Sequence, residues 1–377
     1  MFGSPLLVGL WVYFILTTAS PLADYARDLD ASLGANNITD SRVVVTDTSA
    51  NDYLTLLSAP FDVANPNPVE KGYVRDDSDG AGTTIFVIDT GFNMERFPDE
   101  ECLDERRIDT SLVPRSYRAE PLTDAERNAG YYFPPDNMDD VSTPANSKNI
   151  HGHGTQVAIL AGGCKTGVAR KANLFLIKMV EVLMKAGLVE ETMTGPNAQL
   201  HALRLIGAAV AGNVASVSVP RGKAVLVMCT GNWREENMSS YGANWEAIKT
   251  QMKMALERLD QLGVTVVMAA GNDGSSSNPQ QNPDFVPRYT DQQFPQGLAT
   301  VDSPMLLVGS TNSKGQLSTF STPGRGDIPV SLYAQGEAVS TYDLQQSGPK
   351  LKSGTSYSAP IVVRSPQSEL SRVLGAS

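Results

Sequence analysis

Long apolar runs alternate along the chain with amphipathic stretches. Thr83-Thr84-Ile85-Phe86-Val87-Ile88 is continuous, apolar and β-branched, and it ends at Asp89-Thr90-Gly91. That pattern predicts a buried parallel strand followed by a tight turn. Similar runs recur at 174–179, 224–228, 264–269 and 305–308, so at least five strands build a core sheet. Between them, Trp245, Ile248, Met252, Ala255, Leu256, Leu259 and Leu262 fall on one face of a helix closed by Gly263. A second helical stretch, 198–211, precedes the strand at 224. The repeated order strand, helix, strand predicts an α/β fold: a three-layer sandwich whose central, mainly parallel sheet is flanked by helices. Functional groups in such sheets collect at the carboxyl ends of the strands, where both Asp89 and Asn272 stand.

Composition narrows the function classes. With 377 residues, 41% hydrophobic and 19% charged, the chain can bury a large core. Its 30 Lys+Arg against 41 Asp+Glu give a net charge of −11, which repels nucleic acid and anionic lipid alike, so neither is an expected partner. The apolar residues 5–16, followed by the small Thr17, Thr18, Ala19 and Ser20, predict a signal peptide over 1–19. A buried N-terminal helix is the alternative. No later stretch approaches the roughly 20 apolar residues of a membrane-spanning helix, so a secreted, extracellular monomer is expected. Residues 20–55 are polar and mixed, a short pro-region or extension, and 56–377 form the main domain. Two sequons, Asn37-Ile38-Thr39 and Asn237-Met238-Ser239, are compatible with an exported glycoprotein. Three cysteines, Cys102, Cys164 and Cys229, allow at most one internal disulfide and lack metal-ligand spacing.

Candidate chemistry lies in three distant segments. His151-Gly152-His153-Gly154-Thr155-Gln156-Val157-Ala158 continues in small and apolar residues as a helix would, presenting an imidazole at its start. In Lys352-Ser353-Gly354-Thr355-Ser356-Tyr357-Ser358-Ala359-Pro360 a close turn leaves a serine hydroxyl at a helix start, where positive helix-end potential favours a developing anion. Taken singly, Asp89 could shape a turn, Ser356 could cap a helix and Asn272-Asp273-Gly274 could be a plain turn. His151 competes with His153, and His201 reads as an ordinary helix histidine. Together Asp89, His153 and Ser356 occur in the order Asp, His, Ser, which is subtilisin's and not that of chymotrypsin or the α/β-hydrolases.

The segments Val87-Ile88-Asp89-Thr90-Gly91, His153-Gly154-Thr155-Gln156-Val157-Ala158 and Gly354-Thr355-Ser356-Tyr357-Ser358-Ala359-Pro360 resemble the three active-site signatures of subtilases. The likeness extends through Gly167-Val168-Ala169 and through Ala269-Ala270-Gly271-Asn272-Asp273-Gly274, covering roughly residues 56–360. It implies a secreted serine endopeptidase acting on proteins or peptides, with Ser356 as nucleophile, His153 as base, Asp89 as its orienting carboxylate and Asn272 as oxyanion donor. It also implies that the strand leading to Cys229, Thr230 and Gly231, with Ala270 and Gly271 opposite, pairs with extended substrate. Cys229-Thr230 departs from the family's usual serine-containing version, and an ordinary core strand with an inert cysteine is the competing reading. Asp273 places negative charge near the primary specificity pocket. Calcium is common in the family, but no EF-hand-like loop or carboxylate cage can be read, so no metal site is assigned.

Two departures qualify the resemblance. The stretch before residue 56 is short for a folding-assistant pro-domain. After Pro360, Ile361-Val362-Val363 gives way to Arg364-Ser365-Pro366-Gln367, and Pro366 breaks a helix, so a truncated or divergent C-terminal helix is expected behind the nucleophile. A catalytically impaired, secreted binding protein of the same fold is therefore the alternative. Asp89-Thr90-Gly91 also matches aspartic proteases, but no second Asp-Thr-Gly or Asp-Ser-Gly supplies the paired carboxylate they need.

Overall fold

A computed structural model describes residues 44–58, 72–93, 106–139, 152–214, 219–275, 286, 288–301, 303, 305–342 and 349–363. The signal peptide, Asn37, Cys102, His151 and Pro366 lie outside these residues. Helix α1 (Asp52–Ser58) lies near the start of the described chain, and the central sheet begins with strand β1 (Thr84–Asp89) and strand β2 (Ile108–Leu112). Helix α2 (His153–Gly162), β3 (Asn173–Lys178), α3 (Pro196–Val210) and β4 (Ala224–Met228) follow. The chain then runs through α4 (Trp245–Gln261), β5 (Val264–Ala269), β6 (Met305–Thr311), β7 (Leu332–Gln335) and α5 (Thr355–Ser358).

The seven strands form one sheet in the order β7-β6-β5-β4-β1-β3-β2, and every pairing is parallel. Alternation along each strand sends neighbouring residues to opposite faces. Phe86 and Ile88 join Phe175, Ile177, Leu226, Met228, Val266 and Met268 in a core with the apolar faces of α3 and α4. Ile85 and Val87 join Leu174, Leu176, Val225, Val227 and Val267 in a second core with Val157, Ala158 and Ala161 of α2. The expected three-layer α/β sandwich is what these two cores build. With both faces covered, the inner strands read as unbroken apolar runs, and 224–228 and 264–269 coincide with β4 and β5. Gly263 closes α4 at φ +77, a left-handed conformation that favours glycine.

Strand β1 has β3 on one side and β4 on the other, so the order reverses there and a crevice opens at the strands' carboxyl ends. Asp89 is the last residue of β1 and Cys229 is the first after β4.

The described residues fall in one compact unit that includes 44–58. Val44–Asp47 pairs antiparallel with Tyr73–Asp76. Tyr53, Leu54 and Tyr73 pack with Leu160, Val168, Val339, Tyr357 and Ile361 in a third core. Behind α5, residues Ala359–Val362 form a single 3₁₀ turn. Cys164 is disulfide-bonded and Cys229 is free. Asn237 is 3% exposed and its amide donates to the Trp233 carbonyl, so the second sequon is not presented for glycosylation. Among the described residues, no helix is long and apolar enough to cross a membrane.

Candidate active site

Three local devices bring Asp89 and His153 together. Gly152 takes a left-handed φ of 74° and turns the chain so that α2 starts at His153. Gly154, next along, lets α2 approach β1: a Cβ there would lie 2.9 Å from Asp89 Cβ and would overlap the Gly91 carbonyl. The backbone N–H of Gly154 donates to Thr90 Oγ1 at 3.2 Å, pinning helix to strand end. His153 Nδ1 then stands 2.6 Å from Asp89 Oδ1. A carboxylate only accepts, so the proton of this bond sits on Nδ1 and leaves Nε2 as the ring's basic nitrogen. The Thr90 N–H also donates to Asp89 Oδ1, at 2.7 Å, and Asp89 is fully buried. This burial keeps water from competing for the imidazole.

Ser356 is 7% exposed in the first turn of α5. Its neighbour Tyr357 places its ring 5.9 Å from the His153 ring and donates its hydroxyl to Gln156 Oε1 of α2 at 2.9 Å. A buried phenol–amide bond therefore ties the serine's helix to the histidine's helix. On its other side, Ser356 Oγ lies 3.5 Å from the Cys229 carbonyl, at the outer limit for a hydrogen bond.

Asn272 is held by Thr355, the residue before the serine. Its Oδ1 accepts from Thr355 N at 2.8 Å and from Thr355 Oγ1 at 3.1 Å, which leaves Nδ2 as the group free to donate elsewhere. Thr355 Oγ1 also accepts from Gly271 N at 3.0 Å, so one threonine fixes both residues after β5 relative to α5.

A cavity opens between the ends of β4 and β5. Cys229, Gly231, Gly271, Asn272 and Ser356 line it, bringing together residues predicted from three segments. Thr230 and Ala270 are not in its lining: the Thr230 carbonyl accepts from Gln296 at 3.4 Å, and Ala270, buried, donates its N–H to Val308 of β6 at 3.0 Å. Sequence reasoning missed Asn232, Trp233, Gln293 and Gln296, which also line it. Asn232, Trp233 and Gln293 come from the pairing of Asn232–Trp233 with Gln293–Phe294, a two-residue ribbon that carries no motif, and Gln296 from the 3₁₀ turn that follows it. His201 lies in α3 and not in this lining, its ring tilted 37° against Tyr117 with centroids 4.4 Å apart.

Desolvation, and secondarily the nearby Asp89, push the half-buried Cys229 thiol well up, which disfavours its thiolate. Burial likewise raises the Asp273 carboxyl, against the pull of Arg288 and with a smaller push from Glu236. Among the described residues no three His, Cys, Asp or Glu side chains converge on a metal position.

Comparison with known proteins follows the same residues. The subtilase family model matches 80–365, a stretch that contains Asp89, His153, Asn272 and Ser356. Alkaline protease 1 of Aspergillus clavatus is 26% identical over 305 residues, 80% of this chain and 55% of that protein. Proteinase T of Parengyodontium album is 27% identical over 311 residues, covering 81% of this chain and 78% of its own. Subtilisin-like protease 3 of Pseudogymnoascus destructans is 25% identical over 83% of this chain and 60% of its own. Against two of these relatives, the chain thus spans little more than half their length. A crystal structure of a cold-adapted subtilisin-like serine proteinase superposes with a TM-score of 0.48 at 22% identity, over 83% of this chain and 82% of that one. With a family match that runs through every strand of the central sheet and well over half of its length, the chain belongs to the subtilase family.

Proposed function

We propose that this chain is a secreted serine endopeptidase that cleaves proteins or peptides through Asp89, His153 and Ser356, with Asn272 as oxyanion donor. The observation that carries the reading is the 2.6 Å bond from His153 Nδ1 to the buried Asp89, made on a helix that Tyr357 joins to the nucleophile's own turn. With Nδ1–H committed to Asp89, Nε2 takes the proton from Ser356 Oγ as the oxygen attacks the scissile carbonyl. The carbonyl's π electrons move to its oxygen, which becomes an alkoxide. The Asn272 Nδ2–H and the Ser356 backbone N–H, a first-turn donor without an intrahelical partner, stabilise that charge. Collapse of the intermediate breaks the C–N bond, and His153 returns the proton to the departing amine. Water then repeats the sequence on the acyl-enzyme.

Export rests on residues 1–19, whose apolar core and small trailing residues suit signal peptidase. N-terminal sequencing of protein recovered from culture medium tests it: retention of Met1 would remove the secretory reading. Catalysis is tested by a fluorophosphonate probe on the full chain. Labelling is expected on the native protein and lost in Ser356→Ala. Equal labelling of both, or of neither, would instead favour a secreted binding protein of subtilase fold, a reading supported by the single 3₁₀ turn that follows α5 and by the Ser356 hydroxyl lying against the Cys229 carbonyl.

A further inference from the structure

The hydrogen bonds of the buried Asp89 are one-sided. Both donors, His153 Nδ1–H and the Thr90 N–H, act on Oδ1, while Oδ2, equally buried, has no hydrogen-bond partner among the described residues. A buried carboxylate needs other charges or dipoles to compensate it. The wider field of the chain works the other way. At a net charge of −11 it favours a proton on the His153 ring, which withdraws the neutral base as the pH falls.

The register of the sheet supplies a compensating cation. Asp89 at the end of β1 pairs with Lys178 at the end of β3, the one basic residue on the two strands that flank β1. Ile85 and Val87 of β1 and Leu174 and Leu176 of β3 all face α2, so alternation puts Asp89 and Lys178 on that face as well. Lys178 is 3% exposed, and its Nζ donates to the Asp139 carbonyl at 2.6 Å. The preceding carbonyl, of Met138, accepts the N–H of Phe92 at 2.7 Å, just past the end of β1. The ammonium is therefore held beside the exit of β1, on the side where α2 begins with His153. Neighbouring strands lie about 4.8 Å apart and a lysine stem adds about 6 Å, so its charge falls within about 10 Å of the Asp89 carboxylate, through protein rather than water.

Other titratable groups meet this corner from the elements around it. Helix α2 brings His153, the end of β4 brings Cys229, whose thiol desolvation pushes up, and α5 brings Tyr357, whose hydroxyl donates to Gln156. Asp139 accepts from the Asn137 side chain; on β2, Asp109 pairs with Arg107, and beyond β3, Glu181 pairs with Arg115 and Arg118. Resting on the serine-peptidase reading, we propose that Lys178 is a positioning residue for the triad: its ammonium compensates the buried Asp89 carboxylate, keeps His153 in its neutral, basic form into weakly acidic solution, and so sets the acid limit of activity. The sign follows from charge. A cation near the pair disfavours the imidazolium of the resting enzyme, so removing it makes His153 take up its proton at a higher pH.

The test is the rate of fluorophosphonate labelling at Ser356 as a function of pH, for the purified full chain and for Lys178→Met, Lys178→Gln and Lys178→Arg. In the two neutral variants the acid limb is expected about one pH unit higher, which is about a tenfold loss of rate on the limb, with the plateau little changed. Lys178→Arg should keep the parent's limb. Glutamine can still donate to the Asp139 carbonyl and methionine cannot, so a purely structural role would spare Lys178→Gln and would lower the plateau without moving the limb. Coincident limbs in all four proteins, or a shift in Lys178→Met alone, would overturn the proposal and leave the peptidase reading standing. Should Lys178→Met fail to fold, Lys178→Gln against Lys178→Arg still decides the matter. A parent chain that labels at no pH would overturn the peptidase reading, and the proposal with it.

Discussion

Gly154→Ala sets two physical effects against each other. Helix propensity alone favours alanine by up to about 1 kcal/mol, since Gly154 lies inside α2 and its φ is not in the left-handed region that favours glycine. The packing says the reverse. An added Cβ would sit 2.9 Å from Asp89 Cβ and 3.2 Å from Asp89 Oδ1, and closer still to the Gly91 carbonyl. Ordinary carbon contacts begin near ~3.5 Å, so helix and strand must part by at least ~0.6 Å. Neither neighbour can give way by rotating, because one is backbone and the other is the fully buried aspartate. Overpacking of this kind costs about 1–3 kcal/mol, so the net change is a destabilisation of roughly 1–2 kcal/mol. His153 rides on the displaced helix, and its 2.6 Å bond to Asp89 lengthens past ~3.2 Å, where orientation is lost. A misplacement approaching 1 Å costs on the order of 10² in rate. Thermal unfolding should show a midpoint lower by a few degrees, and fluorophosphonate labelling of Ser356 should slow about a hundredfold. A variant as stable as the parent that labels at the parent's rate would refute the claim that α2 is held against β1 by the absence of this one Cβ.

Asp89→Asn keeps the shape but removes the acceptor that holds the Nδ1 proton, so kcat should fall by about 10⁴ with far-ultraviolet circular dichroism unchanged. Tyr357→Phe removes the hydroxyl that donates to Gln156 Oε1 and should cost about 0.5–1.5 kcal/mol in urea unfolding, with slower labelling of Ser356; no change in either would show that the α2–α5 link is incidental. The Cys229 thiol titrates well above its ordinary range, so iodoacetamide at pH 8 should modify it slowly in the folded chain and quickly in denaturant, by mass spectrometry. Fast alkylation of the native form would mean that neither burial nor Asp89 protects it.

The sheet was legible where both faces are covered, because a strand buried on two sides has no polar positions to interrupt it. Strands β4 and β5 follow that rule, and β2 and β7 do not: Ile108–Leu112 is Ile-Asp-Thr-Ser-Leu, half exposed at the sheet's edge, and Leu332–Gln335 ends the opposite edge. An edge strand packs on one side only, so its sequence resembles a loop. The site divides in the same manner. Asp89, His153, Asn272 and Ser356 each stand in a local stretch whose glycines and small residues are demanded by the backbone's close approach, and those demands leave a readable trace. Gln293 and Gln296 leave none, since their placement depends on a ribbon joining residues some 60 apart and on glycines at 231 and 271 that make room for them.

Precision at the site comes from residues next to the reacting ones. Thr355 binds Gly271 and Asn272, Tyr357 binds Gln156, and Gly154 admits Asp89, so each candidate catalytic side chain is placed by its immediate neighbour. This arrangement bears on the short helix behind Ser356. A longer helix would anchor Ser356 by burying more of its own length; here Tyr357, Ile361 and Val363 are buried within α5, the 3₁₀ turn after it and the residue that caps that turn. Tyr53 and Leu54 of α1 supply part of the cover, with Tyr73 from the strand paired to Val44–Asp47. Burying three such side chains is worth several kcal/mol, at about 1.5–3 kcal/mol each, comparable with the whole net stability of a domain. A cut within 44–58 that released α1 would therefore uncover Tyr357 and Ile361, next to Ser356, so the segment is packed into the same unit as the strands that carry Asp89 and Asn272.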